Sequence, residues 1–124
     1  MGLVKGTDFV TLGTTDFDAA DAFYGDVLEL RRSKRWGRMP GGEFETGTLT
    51  IAVIESRAFG MEFRPHGHPI ALRVDDVAAA RALLESRGVE FMGEIIDSGE
   101  CHQALFRDPD GNVLNLHHRY GPSD

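Results

Sequence analysis

Two stretches of the chain repeat one pattern of hydrophobic and polar positions. Each opens with a segment in which apolar and polar side chains alternate, which is typical of a strand with one buried face. Asp16 ends the first alternating segment and Asp76 ends the second, and an alanine-rich stretch follows each. An aspartate there is a common helix N-cap, because its carboxylate accepts free backbone N–H groups of the first turn. The pattern predicts helices over about residues 17–28 and 77–87, the second ending at Gly88.

The two stretches align when one is shifted against the other. Residues 9–16 lie over residues 69–76 (69 − 9 = 60), and Leu12 then coincides with Leu72. Extended segments, broken by Gly and Pro, follow each helix. They are predicted over 30–36, 43–47 and 49–55 in the first half and over 89–97, 101–107 and 112–119 in the second. The chain is therefore interpreted as an internal duplication with the order β-α-β-β-β in each half.

This order predicts an α+β fold of two tandem βαβββ modules. One module alone could not cover its own sheet, so we expect the pair to form a cupped mixed β-sheet with the helices on the outside. Residues 1–124 are predicted to be a single domain. Its parts are module one over about 5–56, a connector over about 57–67 and module two over about 68–119.

The composition fits one compact domain and argues against several classes of partner. With 124 residues, 41% of them hydrophobic, the chain can bury a core without disulfides, and its one cysteine cannot form an internal bridge. A net charge of −7 disfavours general binding to nucleic acid or anionic membranes. No apolar run approaches the roughly 20 residues that cross a bilayer, and the N-terminus does not resemble a signal peptide. We expect a cytoplasmic protein with no nucleic-acid or membrane partner.

The most informative motif is the segment 106–116, which reads as strand, tight turn and strand. Asp110 and Gly111 supply the chain reversal, and Pro109 fixes the entry to it. The segment resembles the closing hairpin of the vicinal oxygen chelate superfamily, which includes glyoxalases, bleomycin-resistance proteins and extradiol dioxygenases.

Two further segments carry the same resemblance. Residues 21–28 are similar to the first helix of that superfamily, and residues 73–80 are similar to the opening of its second module. Together with the hairpin they extend the resemblance over about residues 5–119. The resemblance implies the same duplicated fold.

The resemblance also implies where a divalent metal would be held, by side chains on the first and last strands of the two modules. It places Phe9 and Pro69 on the first strands and Asn115 on the last strand of module two, three residues beyond the Asn of the turn. The repeat offset then assigns Glu55 to the last strand of module one (115 − 60 = 55). Only Glu55 is a usual metal ligand, so we predict no standard metal site and no cofactor.

Two alternatives involve Cys101. A relocated metal site could use Glu55, Cys101 and His117, although their spacing matches no known ligand motif. Cys101 could also act as a nucleophile with His102 or His117 as its base. Neighbouring residues of a strand point to opposite faces, however, which favours a structural role for this cysteine.

Strand alternation, combined with the resemblance, predicts the side chains that face the cup and bind a ligand. They are Phe9, Thr11, Trp36, Glu55, Arg73, Gln103, Asn115 and His117. Arg73 could recognise a carboxylate or phosphate, or it could pair with Glu55. His117 could donate a hydrogen bond or act as a general base.

A basic cluster surrounds Trp36 in the first half. It consists of Arg31, Arg32, Lys34, Arg35 and Arg38. One interpretation is a solvated strand and loop, and the other is an anion-selecting rim over a small-molecule pocket. The sequence favours the first.

The resulting functional hypothesis is a metal-independent protein that binds or sequesters a small organic ligand, as bleomycin-resistance proteins do. The resemblance implies a homodimer, because ligands of such proteins lie in a groove shared by two chains. One alternative is a lyase, isomerase or dioxygenase that uses a relocated metal or acid–base chemistry of Glu55 and His117. Another is a non-catalytic sensor or subunit. The net charge of −7 favours a cationic ligand, whereas Arg73 favours an anionic ligand, and the sequence does not decide between the two.

Overall fold

The computed structural model describes residues 2–122. The chain forms two compact units, and their boundary in the sequence lies between Arg64 and Pro65. This boundary falls within the segment predicted to connect the two modules. We call the part before it unit one and the part after it unit two.

Unit one contains one helix and a four-stranded mixed sheet. Its elements are β1 (Phe9–Thr14), α1 (Phe17–Ala22, continued by a π-helical turn over Phe23–Val27), β2 (Arg31–Arg35), β3 (Gly41–Glu45) and β4 (Thr50–Glu55). A 3-10 turn over Ser56–Phe59 follows. The strand order is β1-β4-β3-β2, with β1 parallel to β4 and the other neighbours antiparallel.

Unit two repeats this connectivity. Its elements are β5 (Ile70–Arg73), α2 (Val77–Ser86), β6 (Ile96–Asp97), β7 (Cys101–Arg107) and β8 (Val113–Arg119). The strand order is β5-β8-β7-β6, with β5 parallel to β8. The predicted α+β fold of two tandem βαβββ modules is therefore confirmed.

Both helices begin where the sequence predicts. The Asp16 carboxylate accepts the Ala19 N–H at 3.2 Å, and the Asp76 carboxylate accepts the Ala79 N–H at 3.0 Å. Each bond satisfies a backbone donor that has no partner inside the helix, which fixes the first turn. No helix within residues 2–122 is both long and apolar enough to span a membrane.

The strand predicted over 89–97 is much shorter than expected. Only Ile96–Asp97 pairs as a strand with β7, and Phe91 forms a single bridge to Phe106. Gly93, between these points, has a φ of +83°, a left-handed conformation that interrupts an extended run. The edge of this sheet is therefore short.

Each sheet buries one face against its own helix. In unit one the buried sheet residues include Leu12, Phe44 and Val53, and α1 contributes Phe17 and Ala20. This burial removes apolar surface from water, which provides most of the stabilisation of such a unit.

Unit two follows the same plan. Its sheet buries Ala104, Phe106 and Leu114, and α2, which packs on β7 and β8, contributes Val77 and Leu84. The opposite face of each sheet carries most of the predicted ligand-binding residues.

Candidate functional site

Four predicted site residues lie together on the sheet of unit two, on the face turned away from α2. His117 on β8 is directly opposite Arg73 on β5 and Gln103 on β7, and Asn115 lies two residues before it on the same strand. Residues two apart on a strand share a face. The prediction that these four side chains share one face of the sheet is confirmed. We call this set the polar face of unit two.

The polar face of unit two contains a buried hydrogen-bond acceptor that is not used. Asn115 is 4% exposed, and its Nδ2 donates to Gln103 Oε1 at 2.8 Å. Its Oδ1 is buried and has no hydrogen-bond partner among the described residues. A buried unsatisfied polar atom costs about 1–3 kcal/mol, and such atoms are rare in folded proteins. Asn115 Oδ1 therefore lacks a hydrogen bond from the residues described at this face, and a ligand donor reaches it only when neighbouring side chains move aside.

The charged and titratable members of this set are accessible. Arg73 is exposed and His117 is half-buried. Within residues 2–122, no ion pair or side-chain hydrogen bond engages either of them. A guanidinium has five N–H donors and an imidazole has both a donor and an acceptor nitrogen. Both groups are therefore free to contact a small molecule.

Phe9 and Thr11 share one face of the sheet of unit one. In the register of β1 and β4, Phe9 lies opposite Thr50 and Thr11 lies opposite Ala52. The side chain of Phe9 is 58% exposed, which is unusual for an aromatic residue on a strand. This face is therefore accessible to an apolar group.

The side chain of Trp36 is held by Glu43 on β3. Glu43 is not among the ligand-binding residues predicted from the sequence. Trp36 Nε1 donates to Glu43 Oε2 at 3.1 Å, and the indole contacts the Phe59 ring edge-on at 5.8 Å between centroids. Glu43 lies opposite Ala52 and so shares the face of Thr11. Alternation of Glu43 with the apolar Phe44 is the signal in the sequence that indicates this facing.

The prediction that Glu55 shares a face with Phe9 is wrong. Glu55 is paired with Thr14, so its side chain lies on the face that packs against α1. There its Oε1 accepts the backbone N–H of Phe17 at 3.1 Å. Glu55 thus helps to hold the first turn of α1, since this N–H has no partner within the helix.

The error arises because the repeat offset is not constant. The first strands differ by 60 positions, since Thr11 and Ala71 correspond (71 − 11 = 60). Thr11 lies opposite Ala52, whereas Ala71 lies opposite Asn115, so the last strands differ by 63 positions (115 − 52 = 63). The counterpart of Asn115 is therefore Ala52. An odd change in offset exchanges the two faces of a strand.

The contact of Glu55 with α1 gives a testable prediction. Glu55→Ala removes the acceptor of the Phe17 N–H and should lower the free energy of unfolding by about 1–2 kcal/mol. Glu55→Gln retains an acceptor oxygen and should lose less than half of that. Urea unfolding followed by circular dichroism measures both variants. Equal losses would show that this hydrogen bond is not the cause.

Two members of the basic cluster pair with acidic residues of α1 and its π-helical turn. Arg32 contacts the carboxylates of Asp21 at 2.9 Å and Asp26 at 3.1 Å, and these hydrogen bonds raise the pKa of Arg32, with Asp21 the larger cause. The Arg35 guanidinium lies 5.0 Å from the centroid of the Phe17 ring. The structure favours the solvated interpretation for these two arginines.

Comparison with models of known protein families identifies the superfamily of the chain. The family model described as Glyoxalase/Bleomycin resistance protein/Dioxygenase superfamily matches residues 6–116. The chain belongs to this superfamily. The resemblance inferred from the sequence is confirmed, and the match includes all eight strands and both helices, although β8 continues beyond it. No curated protein matches the chain.

Several solved structures share the fold. An antibiotic-binding protein, TnmS3 from Streptomyces sp. CB03234, is 23% identical, with a TM-score of 0.78 over 96% of this chain and 99% of that one. A lactoylglutathione lyase from Agrobacterium tumefaciens is 20% identical, with a TM-score of 0.75 over 93% and 94% of the two chains. A glyoxalase/bleomycin resistance protein from the same Streptomyces strain is 25% identical, with a TM-score of 0.73 over 91% and 100%.

The residues at the metal positions implied by the superfamily do not fit a divalent transition metal. With Glu55 replaced by Ala52 in the correspondence, these positions hold Phe9, Ala52, Pro69 and Asn115. Only the Asn115 amide oxygen is a donor, and it is a neutral one, whereas a tightly held catalytic metal has at least three protein ligands. Within residues 2–122, no three His, Cys, Asp or Glu side chains converge to hold a metal.

Proposed function

We propose that this superfamily member binds a small organic ligand on the polar face of unit two, without a metal, and sequesters it. The observation that carries the proposal is the buried Asn115 side chain, whose Oδ1 has no partner among the described residues. The cost of such an atom is recovered when a ligand donates a hydrogen bond to it.

The groups beside Asn115 define the chemistry of the ligand. Gln103 Oε1 is occupied by Asn115 Nδ2, so the Gln103 amide N–H groups remain for the ligand. The exposed Arg73 guanidinium suits a carboxylate or phosphate, which it binds in a bidentate manner. We propose a small organic anion that also carries an N–H or O–H group.

The solved structures include both a binding protein and an enzyme, so they are consistent with either function. TnmS3 is described as antibiotic-binding, and the Agrobacterium protein is described as a lyase. At identities of 23% and 20% these structures indicate the fold and do not choose between the two. The missing carboxylate at Asn115 favours binding. We also propose a homodimer, on the strength of the superfamily resemblance, and a cytoplasmic location, because a single cysteine fits a reducing compartment.

Metal analysis tests the first part of the proposal. Purified protein, dialysed without chelator, should contain far less than one equivalent of Fe, Mn, Ni or Zn by elemental analysis. A near-stoichiometric metal that survives dialysis would contradict metal-free binding. It would favour the lyase, isomerase or dioxygenase alternative, in which His117 and not Glu55 supplies acid–base chemistry.

A ligand screen with matched variants tests the second part. A thermal-shift screen of carboxylates, phosphates and cationic antibiotics should identify an anion that raises the melting temperature. Arg73→Ala should weaken its binding about 10-fold or more by calorimetry, because a charge-assisted hydrogen bond contributes about 1.5–3 kcal/mol. Arg57→Ala, which removes another exposed arginine, is the control and should bind normally.

Asn115→Leu tests whether the buried amide group of Asn115 contributes to ligand binding. The substitution keeps the branched shape of the side chain but removes both the unused acceptor and the Nδ2 donor that bonds Gln103 Oε1. Stability should therefore fall by about 1–3 kcal/mol. Affinity for the ligand should fall about 10-fold as well. Loss of stability without loss of affinity would assign Asn115 a structural role. If no ligand stabilises the protein, the sensor or subunit hypothesis is favoured instead.

A further inference from the structure

The opposite face of unit two contains a second cleft that the proposed function does not use. Its volume is about 390 Å³, which is within the usual range of small-molecule pockets. It lies between the N-terminus of α2 and the sheet. The lining residues that matter here are Asp75, Val77, Ile95, His102, His118 and Tyr120.

Strand register builds a row of three residues at one side of this cleft, and two of them, His102 and His118, line it. Asp97 on β6, His102 on β7 and His118 on β8 are directly opposite one another and form a row across three strands. His102 Nε2 lies 3.3 Å from Asp97 Oδ2. The residues sit on the face that carries Leu116 and Ala104, so the row continues the buried core out to the cleft.

Tyr120 completes this side of the cleft as an aromatic surface. Its hydroxyl donates to Asp97 Oδ1 at 2.5 Å, and its ring stacks on the His102 ring with 4.6 Å between centroids. The hydrogen bond from Tyr120 lowers the pKa of Asp97, with the Gly99 N–H as the second cause. The carboxylate therefore keeps its negative charge beside a fixed aromatic ring.

The charges around the cleft are predominantly negative. Asp75 and Asp76 line it at the N-terminus of α2, where the Asp76 carboxylate already accepts the Ala79 N–H. This cap occupies the position that an anion would take at a helix N-terminus. Among the described residues that line the cleft there is no lysine or arginine, and only His102 and His118 can become positive. An anionic ligand is therefore disfavoured.

A metal ion is disfavoured as well. The row of Asp97, His102 and His118 contains suitable ligand types, yet no three such side chains converge within the described part of the chain. The cleft also has an apolar part, formed by Val77 and Ile95. A hydrated metal ion would leave this part without a partner.

We propose that this cleft binds a small organic cation, an ammonium group attached to one aromatic ring or a short aliphatic chain. Asp75 lines the cleft and attracts the ammonium, and the Tyr120 ring contacts it by a cation–π interaction. Asp97, bonded to the Tyr120 hydroxyl beside the cleft, adds negative charge. Val77 and Ile95 contact the apolar group. The site lies on the other face of unit two from Asn115 and Arg73, so it does not depend on the function proposed above.

The test uses 2-phenylethylammonium chloride and its neutral counterpart 2-phenylethanol. Each is titrated into the full-length protein, and the backbone amides are followed by two-dimensional NMR. We expect saturable shifts near Asp75, His102 and Tyr120 with the ammonium and markedly weaker binding of the alcohol. Equal binding of both probes, shifts confined to other residues, or no saturation by the ammonium at about 10 mM, which corresponds to about 0.3 kcal/mol per non-hydrogen atom, would overturn the proposal.

Matched variants locate the interaction. Asp75→Asn should weaken binding of 2-phenylethylammonium about two- to fivefold, as expected for one exposed charge pair. Tyr120→Leu should weaken it by a similar factor through loss of the ring, whereas Tyr120→Phe retains the ring and should lose less. Glu90→Gln changes an exposed carboxylate outside the cleft and should have no effect.

A zinc titration tests whether the cleft binds a metal ion instead of an organic cation. Zinc chloride should neither shift the His102 and His118 signals at stoichiometric concentration nor displace 2-phenylethylammonium. Tight zinc binding at these histidines, with no binding of the ammonium, would assign the cleft to a metal and overturn the proposal. Circular dichroism of each variant verifies that the fold is retained.

Discussion

Asn112→Ala should lower the free energy of unfolding by about 2–4 kcal/mol. Asn112 is 1% exposed, and its side chain makes two hydrogen bonds at the closing turn. Its Nδ2 donates to Asp108 Oδ2 at 2.8 Å, and its Oδ1 accepts the backbone N–H of His66 at 2.6 Å. The alanine variant takes one hydrogen bond from the buried Asp108 carboxylate and one from the part-buried His66 N–H, and such losses cost more than the hydrogen bonds themselves contribute.

Asn112→Asp separates the two hydrogen bonds. Aspartate has the same shape and keeps an acceptor for the His66 N–H, but it places a second carboxylate against Asp108, which like-charge repulsion disfavours. We expect this variant to be unstable at neutral pH and to recover as the solution is acidified and one carboxyl is protonated. Urea unfolding at several pH values measures this. A pH-independent loss would show that repulsion between the two carboxylates is not the cause.

Gly42→Ala should be the second most damaging substitution, at about 1–3 kcal/mol. Gly42 is buried on β3, opposite Arg35 of β2. A Cβ atom at this position would lie 2.9 Å from the Lys34 carbonyl oxygen and 3.2 Å from Phe17 Cζ. The first of these neighbours is backbone, so relief requires β2 to move away from β3. We expect weaker pairing of β2 with β3 and faster hydrogen exchange of the backbone amides of β2.

Gly37→Ala is the matched control for this prediction. Gly37 lies in the exposed loop between β2 and β3, has no atom within 4 Å of an added Cβ, and does not have a left-handed φ. Alanine there should leave stability unchanged or raise it by up to about 1 kcal/mol. Thermal unfolding of the two variants under identical conditions decides the matter. Comparable stability of Gly42→Ala and Gly37→Ala would contradict the close packing of β3.

The fold was largely predictable because its signals are local. Asp16 and Asp76 mark the helix starts, and alternation of apolar residues marks the strands, so each element could be recognised within a few residues. The weak prediction was the strand over 89–97. There the left-handed Gly93 interrupts a sequence that is otherwise compatible with extended structure.

The candidate site was predictable only where counting along the chain remained in register. Arg73, Gln103, Asn115 and His117 share a face as expected, because alternation within unit two determines it. Glu55 does not lie on the predicted face. Its assignment relied on the repeat offset of the first strands, which does not hold for the last strands. The offset is already 62 at the third strand (Glu43 against Leu105, 105 − 43 = 62), and the turn before β8 adds one more.

The second cleft could not be predicted from the sequence. Asp75, Ile95, His102 and Tyr120 are far apart in the chain, and none belongs to a recognised motif. They come together only through the pairing of β6, β7 and β8 and the placement of the α2 N-terminus. The unpaired Asn115 oxygen is also a property of packing, since an asparagine on a strand is usually exposed.

The shifted repeat determines how many substitutions a metal centre would need in this fold. With Ala52 opposite Thr11, the four positions that would carry a metal in metal-dependent relatives hold Phe9, Ala52, Pro69 and Asn115. A working metal centre needs three good donors, so no single substitution restores one. Asn115→Asp alone would place one carboxylate in a buried position without a cation, which is destabilising. A metal centre at these positions would therefore require changes at three of the four residues together, since one or two of them alone supply too few donors.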